Sequence, residues 1–227
     1  MLVGAGVVVL WGVPFSLIFR WALAFGLGVI ALWTFMSLAV SHWVYDRSGI
    51  CEWQWIAATL GRKPERWVNI HAGFDESSPA LHRMFPDTQG ITADIFDAGE
   101  MTEPSIAAAR ARTGDVHGSI AANFRKLPFE TGTLDAVFLL FAAHEIRREE
   151  SRVVFLEEVR RILQANGRIV MAEHLRDWRN FAAFGPGFTH FLSRRTWLAA
   201  AWAAGLNVIG EFSMTPFVRV FVLGHAL

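Results

Sequence analysis

Two dipeptides carry most of the acid–base chemistry in this sequence. His144-Glu145 and Glu173-His174 each set an imidazole beside a carboxylate, and imidazole is the side chain whose ordinary pKa lies nearest neutral pH. His144 is the base candidate for removing a proton from a phenol or hydroxyl, with Glu145 orienting it or capping the next helix. The plainer alternative is a histidine that packs and moves no proton. A His-Glu pair also opens the zinc-protease pattern, but Arg148 stands where the second histidine ligand is required, so that pattern fails and no metal is expected. Downstream, Phe181, Phe184, Phe188 and Phe191 surround His190 in an aromatic connection that suits either a greasy acceptor or a small core of its own.

Such residues act together only if strand ends gather them, and the apolar pattern past Arg66 supplies strands. Trp67 to Ala72, Gly90 to Phe96, Val116 to Ala121, Leu134 to Ala142 and Arg168 to Ala172 read as strands. They alternate with helical segments near Ser77 to Phe85, Glu103 to Arg112, Glu149 to Leu163 and Arg194 to Ala204, as in a parallel sheet covered on both faces. The unbroken apolar run from Leu134 is a central strand, and Asn166-Gly167 ends the helix before the fifth strand. Two final apolar runs, Asn207 to Met214 and Phe217 to Leu223, meet at Thr215-Pro216 and predict a hairpin with an antiparallel last strand. His144 and Glu145 then sit at a carboxyl edge of the sheet, where open α/β folds bind ligands.

The chain has 227 residues, one cysteine and 21 basic against 21 acidic side chains. A lone cysteine excludes a disulfide scaffold, and a neutral balance argues against capture of nucleic acid. Hydrophobic residues make up 53% of the chain, concentrated at the front. From Leu2 to Val44 the single formal charge is Arg20, leaving the runs Leu2 to Phe19 and Trp21 to Val40. The second is long enough for a transmembrane helix, at about 1.5 Å per residue against about 30 Å of hydrocarbon. The first is another span, a re-entrant segment or one end of a long tilted helix. Neither has the short apolar core and cleavage site of a signal peptide. Residues 1–45 are accordingly expected to anchor the chain, 46–65 to form an interfacial connector, and 66–227 to form the globular domain. The aromatics Trp43, Tyr45, Trp53, Trp55 and Trp67 either mark the exit from lipid or pack on that domain, the lipid surface being slightly favoured. Arg47, Arg62, Lys63 and Arg66 put the domain on the cytoplasmic side.

Two segments resemble a known family. Leu127-Pro128-Phe129 through Leu134-Asp135-Ala136-Val137, and the helix-to-strand passage Glu157 through Val170, are similar to passages of class I S-adenosylmethionine-dependent methyltransferases, particularly those of ubiquinone and menaquinone biosynthesis. The resemblance spans roughly Arg66 to Leu227 and is specific from Leu127 to Glu173. It implies a Rossmann-like α/β sheet of seven strands, ordered 3-2-1-4-5-7-6 with strand 7 antiparallel, and S-adenosyl-L-methionine as cofactor. In the family an acid and three glycines follow the first strand. Here Gly73 remains, while Asn69, His71 and Asp75 stand at the other positions. Either the loop is a variant in which Asn69 and His71 supply hydrogen bonds, or it has decayed. Asp94, or Asp97 at the same edge, would hold the ribose diol. Asn123 and Phe124 would meet the adenine, and Phe141 would line the site.

These readings converge on a membrane-anchored methyltransferase acting on a lipophilic small molecule or lipid, with His144 and Glu145 as catalytic residues. A non-catalytic membrane protein that keeps the fold is the alternative. A short-chain oxidoreductase is excluded, because Tyr45 is the one tyrosine and lies outside the domain.

Overall fold

The computed structural model describes residues 16–113 and 118–226. The run before Ser16 and the first two residues of the expected third strand lie outside the described residues. Seven strands form one sheet: β1 (Arg66–His71), β2 (Gln89–Asp94), β3 (Ser119–Ala121), β4 (Leu134–Leu140), β5 (Leu163–His174), β6 (Leu206–Thr215) and β7 (Val218–His225). Their order is β3-β2-β1-β4-β5-β7-β6. The first five run parallel, and β7 is antiparallel to both its neighbours. The sheet is thus the one the family resemblance implies, closed by the expected hairpin.

Helices named in chain order are α1 (Leu17–His42), α2 (Trp55–Leu60), α3 (Ser78–Met84), α4 (Pro104–Thr113), α5 (Glu149–Ile162), α6 (Trp178–Phe184) and α7 (Arg194–Ala203). Period-two alternation divides β4 between two cores, as a central strand requires. Val137 and Leu139 join Ile106 of α4, Phe155, Leu156 and Val159 of α5 and Trp197 of α7 on one face. Ala136 and Phe138 join Trp67, Leu81 of α3 and Phe85 on the other. Gly90 is needed there because a Cβ would come within 2.1 Å of the Trp67 ring.

The second face also receives Val44, Ile50, Trp53 and Ile56, all buried. At about 1.5–3 kcal/mol for each large apolar side chain removed from water, the connector is part of the core. Trp67 belongs to the same core and marks no lipid boundary, whereas Trp43 stays 43% exposed.

One boundary differs from the sequence reading, and one helix is added to it. Helix α5 stops at Ile162 and β5 begins at Leu163, which pairs with Leu134 before a bulge. The amphipathic stripe continues through Leu163, so periodicity alone carried the helix too far. Arg152 of α5 is buried, its Nη1 donating to the Ile146 carbonyl at 2.7 Å. The connection after β5 contains α6, started by Asp177, whose carboxylate accepts from the Asn180 amide at 2.9 Å.

Helix α1 has 26 residues, about 39 Å of rise, and is long and apolar enough to cross a membrane by length and composition. Leu17, Ile18, Trp21, Phe25 and Phe35 are exposed on it. One side is tied to the domain: Trp33 Nε1 donates to the Ala182 carbonyl at 3.0 Å, and its ring meets Phe181 edge-on.

Candidate active site

The segment after β1 is held together by its own side chains. Asn69 is buried, and its Nδ2 lies 3.0 Å from Asp75 Oδ1 and 2.8 Å from both Ser77 Oγ and Ser78 Oγ. Asp75 Oδ1 also accepts from the amides of Ser77 and Ser78. His71 Nδ1 accepts from the Gly73 amide at 3.1 Å, which leaves Nε2–H to donate to Ser119 Oγ at 2.9 Å. Burial pushes His71 below its usual pKa, so the ring is neutral. Asn69 and His71, expected to hydrogen-bond a ligand, bond within the loop and to Ser119, and Asn69 Oδ1 is left without a partner among the described residues. Gly73 has φ +93°, a conformation that favours glycine.

Asp94 ends β2 in register with His71. Its Oδ1 accepts from the Phe96 amide, and its Oδ2 pairs with Arg110 Nη1 at 2.5 Å. The Arg110 side chain lies across Gly73, where a Cβ would meet it at 2.4 Å, and over the Phe96 ring. Asp97 sits three residues on, in a turn closed by the Gly99 amide. Ile95, Phe96, Asp97, Ala122, Asn123 and Phe124 surround a hollow of about 510 Å³. Asn123 is exposed and accepts from the Arg125 amide. Phe124 is buried, with the Arg125 guanidinium over its ring.

A larger cavity, about 700 Å³, opens over the ends of β1 and β4. Ala72, Phe74, Asp75, Phe141 and Glu145 line it from the sheet side, and Tyr45, Cys51 and Trp53 from the connector. Phe141 has φ +56°. A bulky side chain rarely adopts that backbone, and such strain gathers at functional sites. None of Phe181, Phe184, Phe188 and Phe191 lines this cavity. Phe181 packs on Phe188, and Phe184 on Phe191, so the small-core alternative describes them.

The β4 rim inverts the roles expected of His144 and Glu145. Glu145 lines the cavity and His144 does not. His144 Nδ1 is 2.7 Å from Glu173 Oε2, and Nε2 is 3.4 Å from Glu145 Oε1. Burial opposes charge on the ring, but the two carboxylates outweigh it and push its pKa up to about 10. His144 is therefore an imidazolium at neutral pH and not a free base. Burial alone would raise Glu145, yet His144, His190 and Arg147 hold its carboxyl below the ordinary value. Its Oε2 is buried without a hydrogen-bond partner among the described residues.

His174, the other histidine of the two pairs, has Nδ1 3.0 Å from the Phe217 carbonyl. Its Nε2 therefore accepts from Tyr45 Oη at 2.8 Å. Burial lowers its pKa to about 4, against its hydrogen bonds to Asn180 and Phe217, so it is neutral and structural. Tyr45 links the connector to the sheet rather than marking a lipid boundary.

Sequence reasoning missed Arg110, Tyr45, Trp53 and the clamp from Glu173. The last had a signal, a carboxylate at the end of the strand next to the one bearing His144. The others are brought in by distant segments.

The strand order, with its antiparallel seventh strand, and two hollows along the carboxyl edge define the Rossmann-like methyltransferase fold. Residues 92–171 match the family model described as a methyltransferase domain. No curated protein matches the chain in sequence. Among solved structures, the chain is similar to a SAM-dependent methyltransferase from Aquifex aeolicus, with 17% identity, 75% of this chain and 87% of that chain covered, and a TM-score of 0.57. A protein from Pyrococcus horikoshii shares 14% identity over 80% of this chain and 91% of its own, with a TM-score of 0.59. An O-methyltransferase from neocarzinostatin biosynthesis, solved with S-adenosyl-L-homocysteine and 1,4-dihydroxy-2-naphthoic acid, shares 19% identity over 85% of this chain and 57% of its own, with a TM-score of 0.53. A methyltransferase-domain match over residues 92–171 thus lies within a chain that shares the fold of these S-adenosylmethionine-dependent methyltransferases.

The residues present fit that cofactor. Asp94 offers a carboxylate to a diol once Arg110 moves aside. Asp75 Oδ2, buried and without a hydrogen-bond partner among the described residues, lines the larger cavity and suits an ammonium group. The hollow beside Phe96 and Asn123 takes a flat base.

Proposed function

We propose that this protein transfers a methyl group to a hydroxyl on a lipophilic small molecule at a membrane surface, with its domain on the cytoplasmic side. The carrying observation is the composition of the larger cavity: Tyr45, Asp46, Cys51 and Trp53, the residues that follow the apolar helix, wall it together with the ends of β1 and β4. A substrate that partitions into lipid would meet the protein where the cavity is built. S-Adenosylmethionine, when bound, supplies a methyl group already activated by its sulfonium, so the protein's main work is alignment and proton removal.

In this reading Asp94 and the Gly73 backbone hold the nucleoside, with Asn123 and Phe124 bordering the base and Asp97 the turn beside it. Asn69 and His71 keep the loop in shape. Phe141, Trp53 and Tyr45 hold the apolar acceptor. Glu145 Oε2 accepts the acceptor's proton as the carbon–sulfur bond breaks and the carbon–oxygen bond forms. His144 positions Glu145, itself fixed by Glu173.

The test uses the full chain in detergent, then in vesicles. Saturating S-adenosylhomocysteine should raise the unfolding temperature, because a ligand of the native state alone stabilises it. Methyl transfer to alkylated phenols in vesicles should gain kcat/KM with chain length. Absence of any thermal shift would establish the non-catalytic alternative. Equal rates with short, soluble phenols would remove the lipophilic acceptor.

A further inference from the structure

We propose that His144, Glu145 and His190 bind one divalent transition-metal ion of the zinc type at the edge of the larger cavity. The sequence has no two-histidine helix motif, since Arg148 replaces the second ligand. The fold supplies that ligand from elsewhere: His190 ends the 3-10 turn Gly185–His190, after α6, and faces the β4 rim. One ligand atom from each of the three residues lies within 4.8 Å of the others.

The separations are near those of a bound ion. His144 Nε2 is 3.4 Å and His190 Nε2 is 3.9 Å from Glu145 Oε1. A tetrahedral ion with bonds of about 2.0–2.2 Å places neighbouring ligand atoms about 3.3–3.6 Å apart, so the two separations to Glu145 need a few tenths of an ångström, while any pair at the 4.8 Å limit of the set closes by about 1.2–1.5 Å through rotation of the His190 side chain. Two imidazoles favour zinc-type ions over magnesium or calcium, which prefer oxygen.

Two further observations point to a ligand. Glu145 is 6% exposed, with Oε2 buried and unpartnered among the described residues. His190 makes no ring hydrogen bond among those residues, its nearest carboxylate oxygens lying at 3.7 Å on Glu103 and 3.9 Å on Glu145. The surroundings are also those of a built site. Glu173 accepts from His144 Nδ1 and turns Nε2 toward Glu145, the carboxylate–histidine arrangement that orients metal ligands, and the incoming cation displaces the Nε2 proton, which is released to solvent. Glu103 is drawn toward Arg147 at 3.8 Å and is left out of the set. Three protein ligands leave a fourth position open, and Glu145 aims it at the cavity, where a substrate oxygen can enter.

The proposal shares His144 and Glu145 with the proposed methyl transfer, but its test needs neither cofactor nor substrate and so stands or falls separately. Untagged full-length protein in detergent is stripped with a chelator and titrated with Co²⁺ alone. A saturable visible absorption band at one equivalent, displaced by Zn²⁺, is expected. Glu145→Gln and His190→Gln should each weaken binding at least 100-fold with unchanged far-ultraviolet dichroism. Glu173→Gln should weaken it by about 10–100-fold, the usual effect of losing the outer hydrogen bond. If His190→Gln does not fold, Glu145→Gln carries the test. No saturable band, or Glu145→Gln binding as tightly as the parent, overturns the proposal.

Discussion

The turns after β1 and β4 stand at the carboxyl ends of adjacent central strands, and they differ in what their side chains hold in place. After β1, Asn69, His71, Asp75, Ser77 and Ser78 bond one another, Ser119 and the backbone, and the acceptors Asn69 Oδ1 and Asp75 Oδ2 are left without a partner among the described residues. After β4, Glu145 keeps an unpartnered oxygen and His190 has no ring hydrogen bond among the described residues, while Glu173 holds the Ala143 and His144 amides and the far side of the His144 ring. The first turn is a mould that side chains hold in place of the usual glycines. The second is held through Glu173, and its Glu145 borders the larger cavity. A polar residue near a strand end is thus no guide to contact with a ligand until its partners are counted.

If the β4 turn is the reactive one, Glu145→Gln should lower kcat by about 10²–10⁴-fold, the range for a lost acid–base group, with KM little changed. Steady-state kinetics decide this, and an unaltered kcat would dissolve the contrast.

The next effect is acid sensitivity at the shared support. His174 titrates near 4 when folded and about 6.5 when unfolded. The unfolded chain therefore binds the extra proton between those values, and stability is lost as pH falls from about 6.5 to 4. The loss is on the order of 3 kcal/mol. Urea midpoints measured across that window should show it, and His174→Gln should flatten the slope.

On the cofactor side, Asp94→Asn should weaken S-adenosylhomocysteine about 10–100-fold by calorimetry, the scale of one charged hydrogen bond. Smallest is Arg110→Ala. Removing a partner of Asp94 that competes with a diol should tighten binding by no more than about 5-fold, since a partly exposed ion pair contributes about 1 kcal/mol or less. Weaker binding in that variant would mean that Arg110 assists the cofactor.

Much of this frame was legible beforehand. Short apolar runs gave the parallel strands, and Pro216 flanked by two such runs gave the hairpin that makes β7 antiparallel. The start of β5 was hidden because Ile162 and Leu163 suit a helix stripe and a strand equally. Helix α6 was hidden by its seven-residue length, though Asp177 three residues before Asn180 is a capping signal. In the site, Gly73, Asp94 and Glu145 could be placed by their distance from strand ends. Tyr45, Arg110 and His190 could not, since they reach the site by long-range packing that no local spacing encodes. The aromatics after α1 were ambiguous because a tryptophan suits a lipid boundary and a protein core alike.

The bond from the Trp33 indole to the Ala182 carbonyl has a mechanical corollary. A domain joined to its helix by peptide alone could swing on that strand of chain. Here the helix is pinned partway along its length, so the cavity mouth keeps a set height and heading relative to the helix axis, like a lamp fixed to its post.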